Sequence, residues 1–139
     1  MTASSGSWHA HYTKAAELLK AGKADDAVVE FYVGQLRGRT NLRCVQQEPS
    51  GGPALFASLN EVVGRPVNEH AGRSPDKWLA AIDAALAWDR ANPDLENASP
   101  ACVAEKERQR AGLTGLRRMI DTQRDRIREE RRKNGLSND

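Results

Sequence analysis

Apolar residues recur every three or four positions along most of this chain, which is the spacing of one face of an α-helix. The first such stripe comprises Trp8, Tyr12, Ala15 and Leu19. No segment alternates apolar and polar residues as a half-buried strand does, and no Asn-Gly pair joins two apolar runs. The sequence therefore predicts an all-α fold.

Helix start and stop signals between the stripes predict a single-domain bundle of five or six helices. The short link at Gly22 and Lys23 predicts an antiparallel helical hairpin at the N-terminus, with Asp25 or Asp26 capping the second helix. A third helix is expected from Pro53 to Gly64, which precedes Pro66.

Two Ser-Pro pairs mark the starts of the remaining helices. Ser74-Pro75 opens a fourth, which Asn92-Pro93 ends, and Ser99-Pro100 opens a long charged helix that reaches Lys133.

One domain is the expected number for 139 residues. We expect a helical domain over residues 8–133, a flexible leader over 1–7 and a flexible tail over 134–139. Residues 46–53 are rich in Gly, Pro and Gln and predict a loop.

Charge is nearly balanced overall but unevenly distributed. The chain has 21 Lys and Arg against 19 Asp and Glu, a net charge of +2. Residues 105–133 hold eleven basic and six acidic residues, so the rest of the chain is mildly acidic. This distribution favours a protein partner over nucleic acid, because acids interrupt the basic segment throughout.

The sequence contains no metal or cofactor motif. On a helix, His9 and His11 point to opposite sides, so they cannot hold one metal ion together. Cys44 and Cys102 form no paired motif, and we predict free thiols in a cytoplasmic protein. The first residues lack the features of a secretion signal, and no apolar run is long enough to span a membrane.

Trp88 lies at the edge of an apolar helical stripe, beside Asp89, and partly exposed tryptophans are enriched in binding hot spots. We therefore predict a partner-binding surface made of Trp88 and exposed acids. The predicted contact acids are Asp25, Asp26, Glu30, Asp83 and Asp89, and Asp94 and Glu96 are also expected to be exposed.

A second candidate region is the polar segment from Asn60 to His70. Gln35 lies within an apolar arc of the second helix, and a buried amide needs hydrogen-bond partners. We predict a polar network or pocket formed by Gln35, Arg39, Asn60, Glu61, Arg65, Asn68, Glu69 and His70. It is either a structural network or a ligand site.

Two stretches, FYVGQLRGR at 31–39 and ALFASLNEVVGRPVNE at 54–69, resemble small uncharacterised bacterial proteins. In size the chain is similar to the single-domain helical immunity proteins of type VI and contact-dependent toxin systems. That resemblance implies a cytosolic protein that binds a cognate toxin and blocks it, but it assigns no role to any residue.

The leading hypothesis is therefore a non-catalytic protein-binding module, with an immunity protein as its specific form. The first alternative is a regulatory or nucleic-acid-associated protein that uses Arg124, Arg128 and Arg131 of the basic segment. A further alternative is a small enzyme with Glu61, Glu69 and His70 as acid–base groups. The oligomeric state stays open.

Overall fold

The computed structural model describes residues 7–45 and 52–139, and every regular element within them is helical. The helices are α1 (His9–Lys20), α2 (Ala24–Cys44), α3 (Gly52–Val62), α4 (Gly64–Ala71), α5 (Pro75–Ala91), α6 (Pro100–Thr122) and α7 (Arg124–Lys133), with a 3-10 turn at Leu95–Asn97 between α5 and α6. The all-α single-domain prediction is confirmed. The predicted leader and loop lie almost wholly outside the described residues.

Helix α2 is the centre of the bundle, and α1, α3, α4, α5 and α6 all pack against it. Its buried residues therefore occupy every side rather than one stripe. Gly38 shows how closely the chain packs here: an added Cβ would lie 2.9 Å from ring atoms of both Trp8 and Phe56. Only glycine leaves room for these two rings.

Three helix boundaries differ from the sequence-based prediction. Pro66 does not end the third helix but lies in the first turn of a separate helix, α4, where its missing N–H costs no hydrogen bond. The C-terminal helix is interrupted at Gln123, and α7 follows. Neither Asp25 nor Asp26 caps α2; both lie in its first turn.

Both predicted serine caps are present. The Ser74 hydroxyl accepts a hydrogen bond from the Lys77 amide, and the Ser99 hydroxyl accepts one from the Cys102 amide, each at 3.3 Å. In both helices the following proline occupies the first turn, as the sequence predicted.

The prediction of free thiols is wrong. Cys44 at the end of α2 and Cys102 in the first turn of α6 form a disulfide, with their Cα atoms 4.9 Å apart. Because 58 positions separate the two cysteines, no local spacing signalled the pair. The packing of α2 against α6 brings them together.

The last residues contact the bundle. The Asp139 amide donates to the Arg73 carbonyl at 2.9 Å, and the Asp139 carboxylate pairs with the Arg73 guanidinium at 3.0 Å. The Ser137 carbonyl accepts from Arg131 Nη2 at 2.7 Å. These contacts place residues 137–139 beside α4 and the start of α5.

Candidate functional site

An open groove of about 290 Å³ runs between the first half of α2 and α5. Its floor is apolar and consists of Val28, Val29, Trp78, Ala80, Ala81 and Ala84. Ala80 and Ala84 of α5 are exposed, and their short side chains leave the space unfilled. We call this surface the α2–α5 groove.

Charged and polar side chains border the groove. These are Asp25, Asp26, His70, Lys77 and Asp139. Asp25 and Asp26 are exposed in the first turn of α2, where the partial positive charge of the helix N-terminus favours carboxylates. The sequence had proposed both as partner contacts, and the structure places them on one rim.

The two rim acids differ in their neighbours. His70 Nε2 lies 2.7 Å from Asp25 Oδ1, and Lys77 Nζ lies 3.9 Å from Asp25 Oδ2. The hydrogen bond to His70 lowers the pKa of Asp25 below its ordinary value. Asp26 has no ion pair among the described residues, so its charge is available to a partner.

Asp89 is not an exposed partner contact, because its side chain is 0 % exposed. Arg37 Nε and Lys106 Nζ donate to its Oδ1 at 2.7 and 2.9 Å. Arg110 donates to its Oδ2 from both Nε and Nη2, at 3.0 and 2.8 Å. We call Asp89 and these three cations the Asp89 cluster.

Burial alone would raise the pKa of Asp89, but the charges and hydrogen bonds of Lys106 and Arg37 outweigh it and hold the pKa below its ordinary value. Lys106 also pairs with Asp94, which is half-buried. Asn97 Nδ2 donates to Asp94 at 2.8 Å and to the Arg37 carbonyl at 3.2 Å. The cluster therefore ties the 3-10 turn to α2, α5 and α6.

Two further expected contacts, Glu30 and Trp88, also face the interior. Glu30 is buried, and its Oε1 lies 2.8 Å from His11 Nδ1. Trp88 is half-buried: the His11 ring meets it edge-on at 5.3 Å, and the Arg37 guanidinium lies 4.8 Å from its ring centre. These groups contact one another inside the bundle, although the buried His11 Nε2 has no hydrogen-bond partner among the described residues.

The other expected acids occupy different places. Asp83 is exposed, and its two oxygens accept hydrogen bonds from Arg117 at 2.6 and 2.9 Å. Glu96 is half-buried rather than exposed, and its Oε1 accepts a hydrogen bond from the Trp8 amide at 2.6 Å. Burial raises the pKa of Glu96 above its ordinary value.

The predicted polar network is divided between two separate arrangements. In the first, Asn60 Oδ1 accepts from Tyr12 Oη at 2.7 Å and from Gln35 Nε2 at 3.4 Å. Burial raises the pKa of Tyr12, so its hydroxyl stays a donor. Among the described residues Arg39 makes no hydrogen bond to this set, but its charge lowers the pKa of Tyr12 against the larger effect of burial, and its guanidinium lies 5.7 Å from the ring centre of Phe56.

The second arrangement is a chain of hydrogen bonds that runs from Trp78 through Tyr32 to Asn68. Trp78 Nε1 donates to Tyr32 Oη at 3.0 Å, and Tyr32 donates in turn to Asn68 Oδ1 at 2.8 Å. Burial raises the pKa of Tyr32 to about 12. The sequence singled out Asn68 but missed Tyr32 and Trp78, because nothing in their spacing shows that they meet.

Within the described part of the chain, no hydrogen bond or ion pair joins the side chains of Glu61, Glu69 and His70 to one another. Glu61 pairs with Arg65 on the exposed side of α3 and α4. Glu69 is exposed, and His70 pairs with Asp25 across the groove rim. The structure therefore brings no acid–base pair together from these three residues.

The basic segment is also largely engaged with the protein itself. Arg124 pairs with Asp76 and Asp121 at 2.5 and 3.1 Å, and Arg131 is buried. Arg128 is exposed and has no ion pair among the described residues. Two of the three arginines expected to hold nucleic acid thus have partners inside the chain.

Comparison of the chain with protein-family models, curated proteins and solved structures gives no match. Within residues 7–45 and 52–139, no three His, Cys, Asp or Glu side chains are grouped as metal ligands. No helix in the same residues has both the length and the apolar character needed to cross a membrane.

Proposed function

We propose that this protein is a non-catalytic binding module that takes a basic segment of another protein into the α2–α5 groove. The observation that carries the proposal is an apolar floor next to exposed carboxylates. Val29, Trp78 and Ala84 offer apolar contact, and Asp26 offers an unpaired charge to a Lys or Arg of the partner. Complementary charge of this kind steers association and selects the partner.

The specific form of the proposal is an immunity protein that blocks a cognate toxin by covering its surface. Support comes from the resemblance in size and from the groove, which fits a basic surface. Trp88, Asp89 and Glu30 face the interior, so the C-terminal end of α5 is not the proposed contact face. We place that face at the start of α2 instead, beside the groove.

The compartment is part of this proposal. A cytoplasmic location was expected from the sequence, but a disulfide such as Cys44–Cys102 forms and persists in oxidising compartments. We therefore propose that the protein meets its partner outside the reducing cytosol. A thiol-alkylating reagent added to intact cells tests this. Cysteines that resist the reagent because they form the disulfide support the proposal, and alkylated cysteines contradict it.

The groove itself is tested by selecting a random peptide library against the wild-type protein. We expect the selected peptides to pair Lys or Arg with apolar residues and to bind less tightly as salt rises. Ala84→Arg fills the groove and abolishes their binding, whereas Ala87→Arg, an exposed alanine of the same helix outside the groove, leaves it unchanged.

Selected peptides that are acidic, or that bind Ala84→Arg as tightly as the wild type, contradict the groove. For the immunity role, the matching experiment is co-expression with a toxin encoded beside this gene, with both proteins directed to an oxidising compartment. The wild type and Ala87→Arg should restore growth, and Ala84→Arg should not.

A further inference from the structure

A second cavity, of about 260 Å³, lies on the other side of Trp78 from the α2–α5 groove. Trp78, Met119 and Ile127 form its apolar wall, and Asn68, Gln123 and Arg131 contribute polar side chains. It opens where the C-terminal helix is interrupted at Gln123. Neither the groove nor the proposed protein partner uses this cavity.

Hydrogen-bond chemistry fixes what Asn68 presents. An indole N–H can only donate, so Trp78 makes the Tyr32 oxygen an acceptor. The Tyr32 O–H is then left to donate, and it uses Asn68 Oδ1 as its acceptor at 2.8 Å. The remaining group of Asn68 is its NH₂, which has no acceptor among the described residues.

Arg131 supplies a second donor. It is 8 % exposed, and no carboxylate pairs with it in the described part of the chain. Its Nε and Nη2 donate to the Ser137 carbonyl at 3.3 and 2.7 Å, while Nη1 has no acceptor among the same residues. A Cβ added at Gly72, which also lines the cavity, would lie 2.8 Å from this Nη1.

The charged side chains that border the cavity carry a net charge of +1, which favours an anion. Arg126 and Glu130 both border it and oppose each other, which leaves the charge of Arg131 uncompensated. Donors without acceptors, next to a cation and an apolar wall, are complementary to a carboxylate that carries an apolar group.

We propose that this cavity binds a small organic carboxylate, with its oxygens facing Asn68 Nδ2 and Arg131 Nη1 and its apolar body against Trp78, Met119 and Ile127. The volume is below the roughly 300–1,000 Å³ of sites for drug-sized ligands, so the ligand is a compact acid. Trp78 forms a wall of both this cavity and the groove.

Hexanoate is a suitable probe, and hexanamide is its uncharged match. Titration of the ¹⁵N-labelled full chain with hexanoate should shift the amide signals of residues bordering the cavity, with a dissociation constant on the order of 1 mM. Hexanamide should bind at least about tenfold more weakly, because it lacks the charge that Arg131 attracts.

Asn68→Asp is the decisive variant, because the new carboxylate still accepts from Tyr32 but replaces the NH₂ donor with a negative oxygen. We expect it to weaken hexanoate binding by at least about tenfold. Glu130→Gln removes the opposing charge at the mouth and should tighten binding a few-fold, whereas Glu69→Gln, on an exposed position outside the cavity, should not change it.

The proposal is overturned if hexanoate shifts no cavity signals, if hexanamide binds equally well, or if Asn68→Asp binds as the wild type does. Should Asn68→Asp lose its dispersed spectrum, the glutamate pair decides. If Glu130→Gln binds hexanoate more tightly than the wild type and Glu69→Gln does not, the site is supported. If the two variants bind hexanoate with the same affinity, the proposal is overturned.

Discussion

Asp89 and Asp26 carry the same side chain in the same bundle but have opposite surroundings. Three cations from α2 and α6 surround Asp89, whose side chain is fully buried. Asp26 is exposed and has no ion pair among the described residues. The difference arises because α2 and α6 place cations around Asp89, whereas no described cation pairs with Asp26. The Asp89 carboxylate therefore stabilises the fold, and the Asp26 carboxylate is available to a partner.

Removing the charge of Asp89 should have the largest effect. Asp89→Asn leaves the buried cations Arg37 and Lys106 with only the half-buried Asp94 as a counter-ion, and breaking a buried pair costs about 3–5 kcal/mol. Urea denaturation measures the loss. A change below about 1 kcal/mol would show that water reaches the cluster and that the comparison with Asp26 fails.

Removing the disulfide next to the Asp89 cluster should cost somewhat less. Closing a loop between positions 44 and 102 restricts the unfolded chain, and we expect Cys44→Ala/Cys102→Ala to lose about 2–4 kcal/mol. Cys44→Ala alone should lose the same amount, because either change breaks the bond. Reduced and oxidised wild-type protein that unfold at the same urea concentration would contradict this.

The pH dependence of stability separates the two carboxylates further. The pKa of Asp89 is below its ordinary value in the folded state, so the unfolded chain binds this proton more readily. Its contribution is complete above the unfolded pKa of about 3.9 and is lost as pH falls toward the folded pKa. In acid titrations followed by circular dichroism, the stability of Asp89→Asn should depend less on pH in this range than the stability of Asp26→Asn does.

Removing a hydrogen-bond partner of the half-buried Asn60 side chain should have an intermediate effect on stability. Tyr12→Phe removes the 2.7 Å hydrogen bond to Asn60 and should cost about 1 kcal/mol. Gln35→Leu removes only a 3.4 Å contact to the same oxygen and should cost less. A loss in Gln35→Leu that equals or exceeds that in Tyr12→Phe in thermal unfolding would contradict Tyr12 as the main partner of Asn60.

Changing the rim should have the smallest effect on stability. Asp26→Asn should unfold within about 0.5 kcal/mol of the wild type, because its exposed carboxylate has no ion pair among the described residues and interacts only with the N-terminus of α2. It should nevertheless slow association with a basic partner at low salt. Stopped-flow measurements with a peptide selected on the groove test this, and an unchanged association rate would remove Asp26 from the proposed site.

The fold was predictable because helical spacing and Ser-Pro starts are local signals. The burial of Asp89 also left a trace in the sequence: it follows Ile82 and Leu86 at helical intervals, in phase with the buried stripe of α5. Glu30 likewise lies three positions after Ala27 on α2. Their acidic character, rather than their phase, led to the prediction of exposure.

Other parts of the site could not be predicted, because they depend on contacts between distant segments. Nothing near Cys44 indicates Cys102, and nothing near Trp78 indicates that Tyr32 accepts its N–H. The α2–α5 groove is harder still, since it arises where small residues of α5 fail to fill a space. A space that small side chains leave unfilled has no motif by which a single sequence would reveal it.

The central position of α2 has a consequence for how this sequence can vary. Five helices pack against it, and at Gly38 an added Cβ would lie 2.9 Å from the rings of Trp8 and Phe56. In a library of random single substitutions, α2 should therefore accept the fewest replacements. Helix α3, which has no buried residue, and helix α7, whose one buried residue is Arg131, should accept the most, so their sequences are free to diverge while that of α2 is held nearly constant.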